Sequence, residues 1–238
     1  MPMLLLSIPI LSGCSGNGSR AGALDASKVQ VTVFTESLCP CAAQWIHDFH
    51  AYTRKAVGEV IHAERYLDGT AKEDGSVWVF HGEREFLSQK HEVCVQSLAA
   101  ERGEDGHLAS LEWTACVNGT CSGPSGEWGL DYCDGQGSVA TEEGIPRAQE
   151  CAQQLGLLWD DIDACAGGEQ GDILHWESTA VGNDADVVYG MEGLPVVWVD
   201  GETISEFWDC DSYSTQQSGL IEAVCDAYGG VELPSGCD

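Results

Sequence analysis

Two cysteines flank a single proline in Cys39-Pro40-Cys41, between a predicted strand and a predicted helix. The segment from Val29 to Phe34 alternates and is rich in β-branched residues, which predicts a strand. The segment from 42 to about 57 is amphipathic and predicts a helix. Proline is favoured at the first helical position, so Cys39 is expected at the N-cap.

A sulfur at a helix N-cap lies beside unpaired backbone N–H groups and the positive end of the helix dipole, which predicts a lowered pKa for Cys39. Cys41 would supply a second sulfur that forms or resolves a disulfide. A ring closed over one residue should be strained and therefore oxidising. The alternatives for this pair are a soft-metal thiolate site or two structural cysteines.

The sequence around these cysteines resembles the gamma-interferon-inducible lysosomal thiol reductase family. Glu36-Ser37-Leu38-Cys39-Pro40 matches the E-S-L-C-P motif of that family, although Cys41 stands one position early for its second redox cysteine. A second block keeps His81-Gly82 and Glu85, and a third is similar from Cys151 to Cys165. The resemblance implies an α/β, thioredoxin-like fold with an inserted helical subdomain that is rich in disulfides.

The fourth matching block runs from Gly193 to Ile204 and is typical of a hairpin with an Asp-Gly turn. Pro195 would open its first strand, where proline is tolerated. By resemblance to thioredoxin folds, the peptide bond before Pro195 is expected to be cis, and this proline is expected to pack against the redox pair.

The remaining cysteines are expected to form structural disulfides. Sequence proximity and the family pattern suggest Cys94–Cys116, Cys121–Cys133 and Cys151–Cys165, although spacing alone does not determine connectivity. Three further cysteines lie beyond the matched region, which leaves one of them without a partner: Cys210, Cys225 and Cys237.

The N-terminal residues resemble an export signal. Residues 1–13 are apolar and too short to span a bilayer, and Leu11-Ser12-Gly13-Cys14 looks like a bacterial lipobox. That resemblance implies that Cys14 carries a lipid and that residues 14–27 form a tether to a bacterial membrane. The protein would then face the periplasm or the cell exterior. The alternative is an ordinary cleaved signal with an incidental cysteine. The thioredoxin-like domain would cover 28–205 with its helical insertion at about 83–190, and a C-terminal helix and tail would cover 206–238.

Composition supports export and excludes some partners. Twelve cysteines among 238 residues favour a disulfide-permissive compartment. A net charge of −29 argues against binding to nucleic acid or directly to an anionic membrane surface. The chain also lacks the motifs of serine hydrolases, P-loop proteins, dinucleotide-binding proteins and zinc proteases.

We therefore predict a thiol–disulfide oxidoreductase that needs no cofactor and acts on protein or small-molecule thiols and disulfides together with a redox partner. Cys39 would be the nucleophile, Cys41 would resolve the mixed disulfide, and Pro195 would shape the substrate groove. One alternative is a metal-binding protein, such as a copper carrier, that uses Cys39, Cys41, His47 and His50. Another is a structural relative without activity.

Overall fold

The structure is a computed structural model that describes residues 28–119, 139, 144–189, 194–206, 213–230 and 232–237. Its elements alternate between strands and helices around one main sheet, with a run of helices between the fourth and fifth strands. In chain order they are β1 Val29–Thr35, α1 Pro40–Asp48, α2 Arg54–Val57, β2 Ile61–Leu67, β3 Thr70–Ala71, β4 Val77–Trp78, α3 Glu83–Glu101, α4 Gly106–Asn118, α5 Gly144–Gln154, α6 Trp159–Gly167, α7 Glu169–Tyr189, β5 Val196–Val199, β6 Glu202–Glu206 and α8 Tyr213–Ala227.

The main sheet has four strands in the order β2-β1-β5-β6. Strand β1 pairs parallel to β2 and antiparallel to β5, and β5 pairs antiparallel to β6. As a central strand, β1 is buried along nearly its whole length, which agrees with its β-branched sequence. A parallel pair joined by a helical crossover and followed by a hairpin is a thioredoxin-like sheet. The predicted fold class is therefore confirmed.

Two hydrophobic cores correspond to the two parts of the fold. The first packs the sheet against α1 and α8, with Trp45, Phe49 and Leu220 among its buried residues. The second lies among the inserted helices and includes Trp113 and Ile162. Within the described residues, no helix is long and apolar enough to cross a membrane.

A buried ion pair joins the sheet to α3 below the predicted redox turn. An Nη atom of Arg65 on β2 lies 2.8 Å from the carboxylate of Glu92 on α3, and both side chains are almost fully buried. The Ser37 hydroxyl, two residues before Cys39, donates to the same carboxylate at 2.7 Å. A buried charge is tolerated only when it is paired and hydrogen-bonded. This network therefore holds α3 in a fixed position relative to β2 and to the turn that contains Ser37.

The disulfides correct the predicted pairings. Cys94 on α3 bonds to Cys165 on α6, and Cys116 on α4 bonds to Cys151 on α5. The predicted Cys94–Cys116 and Cys151–Cys165 bonds are therefore wrong. The reason is that α3 packs against both α4 and α6, and sequence proximity does not show which neighbour faces Cys94.

A third disulfide joins Cys225 on α8 to Cys237 in the C-terminal turn. It gives partners to two of the three cysteines that the sequence left unassigned. The other cysteines named above lie outside the described residues: Cys14, Cys121, Cys133 and Cys210.

Candidate active site

Cys39 lies where the sequence predicts it, at the N-cap of α1 and just beyond the end of β1. Its backbone is extended, Pro40 begins the helix, and the Cys39 carbonyl accepts the Ala43 N–H at 2.9 Å. Its sulfur accepts hydrogen bonds from the backbone N–H groups of Cys41 and Ala42. The thiol is free and partly accessible to solvent.

Cys41 is buried, and its sulfur is already in a disulfide. Its partner is not Cys39, because Cys39 carries a free thiol. The strained Cys39–Cys41 ring expected from the sequence is therefore not the bond this structure contains. One free sulfur instead lies two residues from a disulfide-bonded sulfur.

The pKa of Cys39 is raised to about 11, opposite to the sequence expectation. Burial is the largest cause, because it penalises the charged thiolate. Hydrogen bonds from the helix N-terminus act in the expected lowering direction, but nearby negative charge on Glu36 and Glu85 adds to the penalty of burial. Cys39 lies at the helix N-terminus as predicted, but burial and the nearby carboxylates raise its pKa by more than the helix N-terminus lowers it.

Glu36 and Glu85 belong to a cluster of three side chains, which we call the Glu36–His81–Glu85 cluster. Glu85 is fully buried, and its carboxylate accepts the Leu38 N–H at 3.3 Å and the His81 N–H at 2.9 Å. The His81 ring lies 3.5 Å from the Glu36 carboxylate. Burial, helped by the charges of Glu85 and Asp68, raises the pKa of Glu36 to about 8, so Glu36 is mainly protonated at neutral pH.

Local structure explains how these residues meet. Glu36 follows β1 directly, while Gly82 has a φ of 73°, a left-handed conformation that suits glycine and turns the chain into α3. Glu85 in the first turn of α3 then reaches back to the N–H of His81. The sequence block containing His81 and Glu85 does not indicate that Glu85 reaches the Leu38 N–H, one residue before Cys39.

Pro195 lies at the same end of the sheet. Its neighbour Val196 pairs with Phe34, close to the end of β1, and Pro195 itself is buried. The peptide bond between Leu194 and Pro195 is cis, which confirms the prediction. The register thus places Pro195 beside the turn that carries Cys39.

The residues of the alternative metal set lie apart. His47 and His50 line a cavity of about 390 Å³ together with Cys116 and Arg147. The sulfurs of Cys39 and Cys41 do not line this cavity, so the structure does not assemble the predicted four-ligand set. Burial and the neighbouring charge of Arg54 lower the pKa of His50, which leaves it neutral at pH 7.

The raised pKa of Cys39 predicts how its alkylation depends on pH. In EDTA-containing buffer, the alkylation rate should keep rising through the alkaline range and level off only above about pH 11. Glu36→Gln should leave the rate unchanged well below pH 8, where Glu36 is already neutral. Above pH 8 this variant should react roughly tenfold faster, because a nearby negative charge has been removed. Iodoacetamide labelling read by peptide mass spectrometry measures both profiles.

Glu83→Gln is the matched control, since Glu83 lies in the same first turn of α3 but is exposed. It should reproduce the wild-type profile. A wild-type plateau near pH 7, or equal acceleration in both variants, would contradict the assignment of the raised pKa to burial and Glu36.

Comparisons with known proteins agree on the fold. The chain matches no family model and no curated protein sequence. Among solved structures, it is similar to DsbA from Chlamydia trachomatis, with a TM-score of 0.52 and 13% identity over 82% of this chain and 88% of that one. It is also similar to a putative protein disulfide isomerase from Nitrosomonas europaea, with a TM-score of 0.50 and 11% identity over 80% of this chain and 95% of the other. At such identities the likeness shows the fold alone, and it agrees with the thioredoxin-like sheet.

Proposed function

We propose that this protein catalyses thiol–disulfide exchange with Cys39 as the nucleophile. The observation that carries the proposal is a free, partly accessible thiol at the N-cap of the first helix, two residues from a disulfide-bonded Cys41. The names of the structural neighbours, a DsbA and a protein disulfide isomerase, support this chemistry.

The reaction exchanges one S–S bond for another without an external electron carrier. The Cys39 thiolate attacks one sulfur of a substrate disulfide, a mixed disulfide with Cys39 forms, and the other substrate sulfur leaves as a thiolate. Because burial raises the pKa of Cys39, little thiolate is present at pH 7, but each thiolate formed is strongly nucleophilic.

Cys41 is proposed to resolve the mixed disulfide. It must first be released from its present disulfide by an incoming thiol, which becomes oxidised in its place. The freed Cys41 thiolate then attacks Cys39, a Cys39–Cys41 bond forms, and the bound substrate leaves as a thiolate. Pro195 is proposed to lie along the substrate backbone beside these sulfurs.

Polypeptides are favoured as substrates by the surface beside the site. The rings of Trp78 and Phe80 are 51% and 68% exposed and lie 6.2 Å apart between centroids. Phe80 also contacts the His81 ring at 5.2 Å, so the aromatic surface leads to the Glu36–His81–Glu85 cluster. Exposed aromatic rings of this kind mark interaction surfaces.

Direct capture of the intermediate tests the proposal. Incubation with glutathione disulfide should give one glutathione adduct that peptide mass spectrometry maps to Cys39. Addition of dithiothreitol should release it. Absence of an adduct on Cys39 after prolonged incubation at pH 9 would contradict exchange at this cysteine.

The finer family assignment, to the gamma-interferon-inducible thiol reductases, is part of this proposal. It is supported by Glu36-Ser37-Leu38-Cys39-Pro40 and by the order of the matching blocks. The reduction potential of the Cys39–Cys41 pair, measured against glutathione buffers, tests this family assignment. A reducing potential favours that family, whereas an oxidising one favours a DsbA-like role.

We also propose that the protein is exported and anchored to a bacterial membrane through Cys14, which lies outside the described residues. The lipobox-like Leu11-Ser12-Gly13-Cys14 supports this location. Cys14→Ser should move the protein from the detergent phase to the aqueous phase when cells expressing the full chain are extracted, since no lipid can then be attached. Equal partition of wild type and variant would contradict the anchor.

A further inference from the structure

The Glu36–His81–Glu85 cluster brings together three side chains that can act as metal ligands. One potential ligand atom from each of these side chains lies within 4.8 Å of the others. The three residues come from the turn after β1, the turn before α3 and the first turn of α3. Their convergence is therefore a product of the tertiary fold and does not reflect neighbouring positions along one helix.

The three groups are held but remain reachable. Glu85 is fixed by two backbone N–H groups and is fully buried. The Glu36 side chain is 13% exposed and that of His81 is 33% exposed. Glu85 is therefore held in place by its hydrogen bonds, while His81 is accessible to solvent, so an ion could enter the cluster from the His81 side.

Charge gives a reason for a cation to bind. Among the described residues, neither Glu36 nor Glu85 forms an ion pair with a lysine or arginine, and the Glu36 carboxyl lies 3.5 Å from the His81 ring. Asp68 is hydrogen-bonded to Glu36 and adds a further acidic group. A divalent cation bound here would take the place of the carboxyl proton and would be coordinated by both glutamates.

The chemistry of the donors selects the cation. Calcium and magnesium prefer all-oxygen sites, whereas one imidazole with two carboxylates is a set that zinc accepts. Carboxylate and imidazole are both zinc ligands. The sulfur of Cys39 is not among the ligand atoms that lie within 4.8 Å of one another, so the set consists of these three side chains.

We propose that the Glu36–His81–Glu85 cluster binds Zn²⁺ through these three side chains. This set differs from the Cys39, Cys41, His47 and His50 set expected from the sequence. The zinc site itself does not depend on the proposed exchange activity.

Calorimetric titration of the full chain with Zn²⁺, in physiological salt with excess Mg²⁺ to mask weak acidic sites, tests the proposal. We expect one zinc per protein. Glu36→Gln and His81→Ala should each weaken binding by at least about tenfold, as the loss of a ligand requires. His62→Ala is the matched control, because His62 has a similarly exposed ring beside Glu64 on β2, and it should bind zinc like wild type.

Cobalt replaces zinc for a second readout that does not depend on activity. The Co²⁺ complex should show d–d absorption bands in the visible range, and His81→Ala should remove them. Circular dichroism confirms that each variant is folded. If His81→Ala does not fold, Glu36→Gln is used in its place.

Each result separates the possibilities. No zinc binding by the wild type, or binding unchanged in both Glu36→Gln and His81→Ala, would overturn the site. Loss of binding in His47→Ala or His50→Ala, with His81→Ala normal, would move the metal to the other cavity and equally overturn it. Zinc binding without glutathione adduct formation on Cys39 in EDTA would retain the metal site while rejecting the exchange function.

Discussion

Cys39→Ser is expected to abolish thiol–disulfide exchange, lowering the rate by about a thousandfold or more, which is the order lost when a covalent nucleophile is removed. The physical reason is that Cys39 carries the free thiol beside α1, while Cys41 is buried and disulfide-bonded. A serine hydroxyl cannot replace the Cys39 thiol as the nucleophile, because a hydroxyl does not ionise in the pH range in which a cysteine thiol does. Reduction of a fluorescent glutathione disulfide, followed in EDTA, measures the rate.

Cys41→Ser is the informative partner variant. It should still form a mixed disulfide through Cys39, but the adduct should persist, because the proposed resolving sulfur is missing. Cys225→Ser with Cys237→Ser is the control, since that disulfide joins α8 to the C-terminal turn and should not alter the chemistry. Full activity in Cys39→Ser would contradict the proposed function.

Removal of the Cys94–Cys165 disulfide is expected to cause the largest loss of stability among the bonds between described cysteines. This bond spans 71 residues and ties α3 to α6. Chain-entropy arguments give about 4 kcal/mol for a loop of this size, compared with about 3 kcal/mol for a loop closed over 12 residues. Such a loss is a large share of the stability of an ordinary domain. Guanidinium unfolding of Cys94→Ala with Cys165→Ala, without reductant, measures it.

The double variant Cys225→Ala with Cys237→Ala provides the comparison, because its disulfide spans only 12 residues. Its unfolding midpoint should fall less than that of the first variant. Both sulfurs of the longer bond are also buried in the second core, and the small cavities left behind add to its loss. If removal of the shorter bond lowers the stability more, loop length in the unfolded chain does not determine how much each disulfide stabilises this protein.

Most of the features confirmed from the sequence depend on nearby residues, and one rests on the fold resemblance. The alternation from Val29 to Phe34 predicted β1, and Pro40 predicted the start of α1 with Cys39 at its N-cap. The Asp-Gly turn predicted the hairpin of β5 and β6, and the fold resemblance predicted the cis bond before Pro195. Periodicity, capping and turn chemistry act within a few residues, so they can be interpreted without knowledge of packing.

The features missed or mistaken depend on packing between distant segments. The N-cap position alone predicted a low pKa for Cys39, but α3 brings Glu85 beside it, and burial reverses the direction. The same packing gives Glu36 its raised pKa. Burial and charge at one atom depend on every element around it, and no local pattern records them.

Local sequence patterns predicted the secondary structure around the cysteine turn, and the family resemblance predicted the thioredoxin-like fold class. The packing of the chain was needed to show that Cys94 bonds to Cys165, that Cys39 is free while Cys41 is bonded, and that a histidine and two glutamates meet next to the turn that carries Cys39. The reason is physical. Backbone preferences are local, whereas disulfide partners, desolvation and ligand clusters arise where helices far apart in the chain come into contact.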